Sequence, residues 1–101
     1  MNVVIKRVEE VLNVLYDFSQ QVEILAGDTI AAITTAPTAV NIVGGGVIPV
    51  FTSPTITADK KGVSVVVSGG VKGSRYSTWC VVTLTSGVVR KCLGEYIVGD
   101  V

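Results

Sequence analysis

The chain has 101 residues, enough for one domain with a core of its own. Eight Lys and Arg balance eight Asp and Glu, which excludes the basic surplus that nucleic acid or an anionic membrane surface requires. There is no histidine, so the commonest general base and metal ligand is missing, and no run of about 18 apolar residues spans a bilayer.

Hydrophobic residues make up 49% of the chain and charged ones 16%. That is too apolar for disorder, and less charged than the surface of an isolated monomer. Partners are therefore expected to cover part of the surface. Val, Ile and Thr supply 39 of the 101 residues, a β-branched excess that favours strands. Eleven glycines punctuate the chain at the spacing of strands and turns. The expected class is all-β, an antiparallel sandwich of about seven strands of the immunoglobulin-like kind.

The opening Met1-Asn2-Val3-Val4-Ile5-Lys6-Arg7 lacks the apolar region and cleavage site of a signal peptide. Cys80 and Cys92, too few for a disulfide framework, are then expected as reduced thiols in a cytosol. Val4, Val8, Val11, Leu12 and Leu15 recur at helical spacing, with Lys6, Arg7, Glu9 and Glu10 on the other side. Residues 1–10 are expected as a short helix or an extended arm ahead of a domain at 11–101. As an arm, Val3, Ile5 and Val8 are candidates for docking on a neighbour by strand addition.

From Leu12 the pattern changes. Leu12, Val14, Tyr16 and Phe18 alternate with Asn13, Leu15, Asp17 and Ser19, which predicts a strand. Ala26-Gly27-Asp28 is a turn, with Asp28 in a turn or capping role. A strand is predicted over 29–35, interrupted at Pro37, with an edge or kinked continuation over 38–43. Gly44-Gly45-Gly46 reads as a loop, and 47–51, around Pro49, as an edge piece or ordered loop. Strands follow at 54–59 and 63–67, parted by a Lys60-Lys61-Gly62 turn. The longest clean strand is 75–85, returning after a two-residue Ser86-Gly87 turn as 88–98.

In this last hairpin, Tyr76, Thr78, Cys80, Val82 and Leu84 form the expected core face. The Tyr76 hydroxyl is expected to bond a nearby backbone group, the tyrosine-corner device. Trp79 and Val81 then point outward, and Trp79 becomes a candidate interface anchor. A one-residue slip would instead make Trp79 the core tryptophan. With a two-residue turn, Val81 opposes Cys92 and Cys80 opposes Leu93. The two thiols then face opposite sides of the sheet and cannot bond.

No constellation for catalysis is found. There is no triad, Gly-x-Ser-x-Gly elbow or Cys-x-x-Cys. Gly69-Gly70-Val71-Lys72-Gly73-Ser74 lacks the end of a phosphate loop and reads as a turn between strands. Asp17, Asp28, Asp59, Glu95 and Asp100 are scattered without calcium-loop spacing. Neither a metal nor a cofactor is expected.

Two segments carry a resemblance. One is Val11-Leu12, then Tyr16-Asp17-Phe18-Ser19 and Gly27-Asp28-Thr29-Ile30. The other runs from Val65-Val66-Val67-Ser68-Gly69-Gly70 through Gly73 to Tyr76, followed by a strand and Thr85-Ser86-Gly87. Together they resemble the fiber–tail adaptor proteins of tailed bacteriophages, small β-sandwich virion proteins. The likeness implies that Phe18, Gly27, Asp28, Gly69, Gly70, Gly73, Tyr76 and Gly87 determine the fold. It implies a non-enzymatic virion protein, assembled in a host cytoplasm. Its partners would be tail, baseplate, neck or fiber subunits, in multiple symmetric copies, and neither nucleic acid nor membrane. The alternatives are a capsid decoration protein, or a carbohydrate- or receptor-binding module with Trp79, Tyr16 or Tyr96 as a stacking platform.

Overall fold

The computed structural model describes residues 2–7, 10–43 and 47–99. In chain order they form strands β1 (Asn2–Arg7) and β2 (Leu12–Asp17), a helical turn α1 (Val22–Leu25), and strands β3 (Ile30–Val43), β4 (Val50–Ile56), β5 (Gly62–Ser68), β6 (Arg75–Leu84) and β7 (Val89–Gly99). One sheet has the order β1-β7-β6-β3, the other β2-β5-β4. With β2, β5 and β4 stacked on β3, β6 and β7, the connectivity is that of an immunoglobulin-like sandwich.

The opening residues, read above as an arm or a short helix, form strand. β1 runs parallel to β7, from Asn2 opposite Gly94 to Arg7 opposite Gly99. Three consecutive β-branched residues favour this, and a helix of so few residues has little stability of its own. Val8 and the loop expected at 44–46 lie outside the described residues.

The two halves predicted on either side of Pro37 are one strand, β3. Register shifts along β3, one of them between Thr35 and Thr38, let the ladder pass a proline that has no N–H to give. β4 comprises Val50–Ile56, earlier than the 54–59 strand expected. Residues 57–61 instead make the turn, held by the Lys60 N–H on the Thr57 carbonyl (2.9 Å) and the Lys61 N–H on Asp59 Oδ1 (3.1 Å).

The core lies between the sheets. β5 contributes Val63, Val65 and Val67, all buried, while β6 contributes Tyr76, Thr78, Cys80, Val82 and Leu84. Phe18 fills one end and the ring of Tyr96 packs 5.7 Å from that of Phe51. Each large apolar side chain buried here favours folding by about 1.5–3 kcal/mol.

Four oxygens cross this core. Tyr96 Oη lies 2.7 Å from Tyr16 Oη, which lies 2.6 Å from Thr78 Oγ1. Thr78 Oγ1 donates to the Thr38 carbonyl at 2.6 Å. A carbonyl only accepts, so the order of protons is fixed: Tyr96 donates to Tyr16, Tyr16 to Thr78, and Thr78 to Thr38. In antibody domains a disulfide joins the second and sixth strands, its sixth-strand cysteine two residues after the corner tyrosine. Thr78 stands two residues after Tyr76, and its bond to Tyr16 ties β6 to β2 in the same way.

The tyrosine corner is present. Tyr76 Oη donates to the Val47 carbonyl (3.0 Å) and accepts from the Val71 N–H (2.8 Å). Gly70, at φ 97°, makes the close approach here. A Cβ on it would meet Val98 at 2.9 Å, so no other residue fits without displacement.

The turn after β6 corrects the predicted hairpin. Leu84 N–H donates to the Val88 carbonyl (2.7 Å) and Gly87 N–H to the Leu84 carbonyl (2.9 Å). The loop therefore has three residues, with Gly87 at φ 94° in the left-handed position that such loops require. One extra loop residue shifts the register, so that Cys80 opposes Cys92 and Trp79 opposes Leu93. Both thiols face the core, on the same side of the sheet rather than opposite sides, and both are free.

Candidate functional site

Strand alternation sorts the larger sheet into two faces. On β6 the outward residues are Ser77, Trp79, Val81 and Thr83, each only half-buried. On β7 they are Val89, Lys91, Leu93, Glu95 and Ile97. Cross-strand pairing brings them together: Trp79 sits between Thr38 of β3 and Leu93 of β7, and Val81 sits opposite Lys91. One row further, Val40 pairs with Ser77, which pairs with Glu95. On β1, Ile5 pairs with Ile97, while Val3 pairs with Glu95 in the ladder.

The result is a four-stranded face on which Trp79, Val81 and Leu93 adjoin, and Val40, Ile97 and Ile5 lie beyond a row of Ser77 and Glu95 or at its end. Nothing in the described chain covers it: Ile5 is 70% exposed, Leu93 47% and Val40 47%. The Lys91 ammonium lies 5.4 Å from the Trp79 ring centroid, where the negative face of the ring attracts it. An Arg75–Glu95 ion pair crosses the face between the Trp79–Leu93 pair and the Ile5–Ile97 pair. Together these make an aromatic centre with aliphatic groups and a few paired charges around it, the residue types of a protein-binding patch.

Trp79, Val81 and Ile5, singled out from the sequence, thus share one face. Leu93, Ile97 and Val40 were missed. A two-residue turn sets Leu93 opposite the inward Cys80, which hides its place on the outer face. The exposed Val40 was hidden in a stretch whose facing is unreadable across the register shifts of β3.

The remaining polar groups hold structure. Asp28 accepts from the Thr29 N–H (2.9 Å) and from Ser86 Oγ, tying the turn before β3 to the β6–β7 loop. The Ser86 bond holds its carboxyl below the usual carboxylate range. Glu23 of α1 pairs with both nitrogens of the Arg90 fork, closing the same end of the sandwich. This pair, 67 positions apart in sequence, carries no local signal. Gly27, Gly69 and Gly73 each have positive φ, as their turns demand.

The thiols are poor nucleophiles. Burial first, and then Cys92 beside it, pushes Cys80 up to about 12, and burial also raises Cys92. Tyr16 and Tyr96 are 3% and 0% exposed, so neither serves as the stacking platform considered above. An open depression beside β2 is lined in part by Asp17, Asp59 and Lys61, but Asp59 is engaged by Thr57 and by the Lys61 N–H. Among the described residues, no three His, Cys, Asp or Glu side chains converge on a metal position.

The family model described as podophage GP4 fiber-tail adaptor protein gp77 matches residues 6–92. The chain belongs to this fiber–tail adaptor family. No curated protein matches it. Membership places the chain in a structural family of bacteriophage tails. The matched span of the fiber–tail adaptor runs from the end of β1 into β7, and includes Trp79, Val81 and Lys91. Leu93 and Ile97, on the same outer face, follow it.

Proposed function

We propose that this protein is a non-enzymatic joint of a tailed-phage virion, linking tail, baseplate or neck components to fibers through protein–protein contacts. The outer face of the larger sheet, around Trp79 and Leu93, is the contact surface. The observation that carries the reading is this uncovered face around Trp79 on a sandwich whose two thiols and three phenols are all buried. Family membership supplies the setting. The family's role also makes a tail joint the better reading than a capsid decoration protein, and the burial of Tyr16 and Tyr96 weighs against a sugar platform.

The test is assembly. Trp79→Ala removes a half-buried ring from the outer face without opening the core. The variant is expected to fold, with an unchanged far-UV spectrum, and to be missing from purified tails. Recovery of Trp79→Ala in tails at the wild-type level would contradict the assignment of this face.

A further inference from the structure

Hydrogen-bond parity along β7 exposes a length of open sheet edge. Val98 N–H donates to the Ser74 carbonyl (3.0 Å), Gly73 N–H to the Val98 carbonyl (2.9 Å), and Leu84 N–H to the Val88 carbonyl (2.7 Å). Even-numbered residues of β7 therefore turn their backbone groups toward β6. Because the direction alternates, odd-numbered residues turn theirs the other way. β1 occupies that side only from Gly94 to Gly99. Among the described residues, no strand and no loop pairs with the N–H and C=O of Val89 and Lys91, or with the N–H of Leu93.

An open edge is a template for another strand, and proteins usually blunt it. This one is flanked by two further features. Beside the first residue of β1, a shallow notch with room for about one water opens at the edge between the sheets, lined by Val14, Leu15, Tyr16, Leu93, Gly94 and Glu95 among others. On the outer side, the Lys91 ammonium rests on the Trp79 ring, and the ion pairs of the described residues, Arg75–Glu95 and Arg90–Glu23, leave it without a carboxylate.

We infer that residues 89–93 take up an extended segment of another virion protein by strand addition, in line with β1. The segment alternates, with an apolar side chain laid over the notch beside Val14 and Leu15 and a carboxylate facing Lys91. A second copy's β1 fits less well, because Lys6 and Arg7 bring like charge to this edge. The inference rests on the adaptor reading and adds to it the kind of partner.

The experiment uses the full chain and purified phage tails. Lys91→Pro deletes an N–H that faces away from β6, a position where an edge strand tolerates proline. Lys91→Gln removes the charge and keeps the N–H. Lys91→Pro is expected to lower incorporation at least tenfold, and Lys91→Gln by a smaller factor. Amide exchange of the wild type supplies the second readout. The amides of Val89 and Lys91 are expected to exchange freely in the isolated protein and to be protected in tails. Incorporation of Lys91→Pro at the wild-type level, or exchange unchanged in tails, would overturn the edge proposal. If Trp79→Ala still fails to assemble in that case, the adaptor reading stands without it. If Lys91→Pro does not fold, the exchange measurement alone decides. Wild-type protein absent from tails overturns both.

Discussion

A relay of hydroxyls with one direction gives unequal weight to its members. Tyr96 only donates, to Tyr16, whereas Tyr16 both accepts and donates. Tyr96→Phe removes one bond and is expected to cost about 1 kcal/mol. Tyr16→Phe strands the Tyr96 hydroxyl in the core and unties β2 from Thr78, so about 2–3 kcal/mol is expected. Urea unfolding of the two variants checks the order, and equal losses would contradict the proton direction. Asn41 of β3 is the opposite case, since neither atom of its carboxamide has a partner among the described residues although both are buried. Asn41→Leu is expected to raise stability by about 1 kcal/mol, measured in the same way. The sequence shows that Tyr76 belongs to a corner, because its position follows from local glycines and strand periodicity. It does not show that Tyr16 meets Tyr96, 80 positions away.

At the level of elements, one loop residue separates the predicted hairpin from the observed one. Alternation correctly placed Tyr76, Thr78, Cys80, Val82 and Leu84 inward and Trp79 outward, because those facings depend on β6 alone. The pairing with β7 depends on where the turn closes, and Ser86-Gly87 is compatible with both two and three loop residues. β1 was obscured for a related reason: its apolar spacing fits a helix and a strand equally well, and the β7 edge beside it decides. The glycines rank by their surroundings. Gly70→Ala meets both a left-handed φ and Val98 at 2.9 Å, whereas Gly87→Ala meets only the φ. Losses of about 2 and about 1 kcal/mol are expected, read from thermal melts. The reverse order would mean that the corner at Gly70 is looser than described.

For the whole molecule, titration falls into two limbs. Glu23, Asp28 and Asp59 have carboxyls lowered by Arg90, Ser86 and Thr57 respectively. Their contribution is present above the ordinary carboxylate range and is lost as pH falls through the lowered values. Cys80, Cys92, Tyr16 and Tyr96 are raised, chiefly by burial. Their contribution is complete below the unfolded values and is lost as pH rises. For Cys80 that window runs from its ordinary 9.0 to about 12. Melting temperature is expected to hold near neutrality and to fall on the alkaline side, with a shallower fall in Cys80→Val. An identical alkaline limb in that variant would contradict the burial of this thiol.

The same core that silences these groups leaves the proposed virion contacts to one sheet and its edge. The most direct test of that division is a density map of an intact tail in which the chain can be traced. The account predicts the sandwich at the junction of tail and fiber, with Trp79 and Val81 covered by a neighbouring protein. A map placing the chain elsewhere on the particle, or leaving that face in solvent, would contradict it.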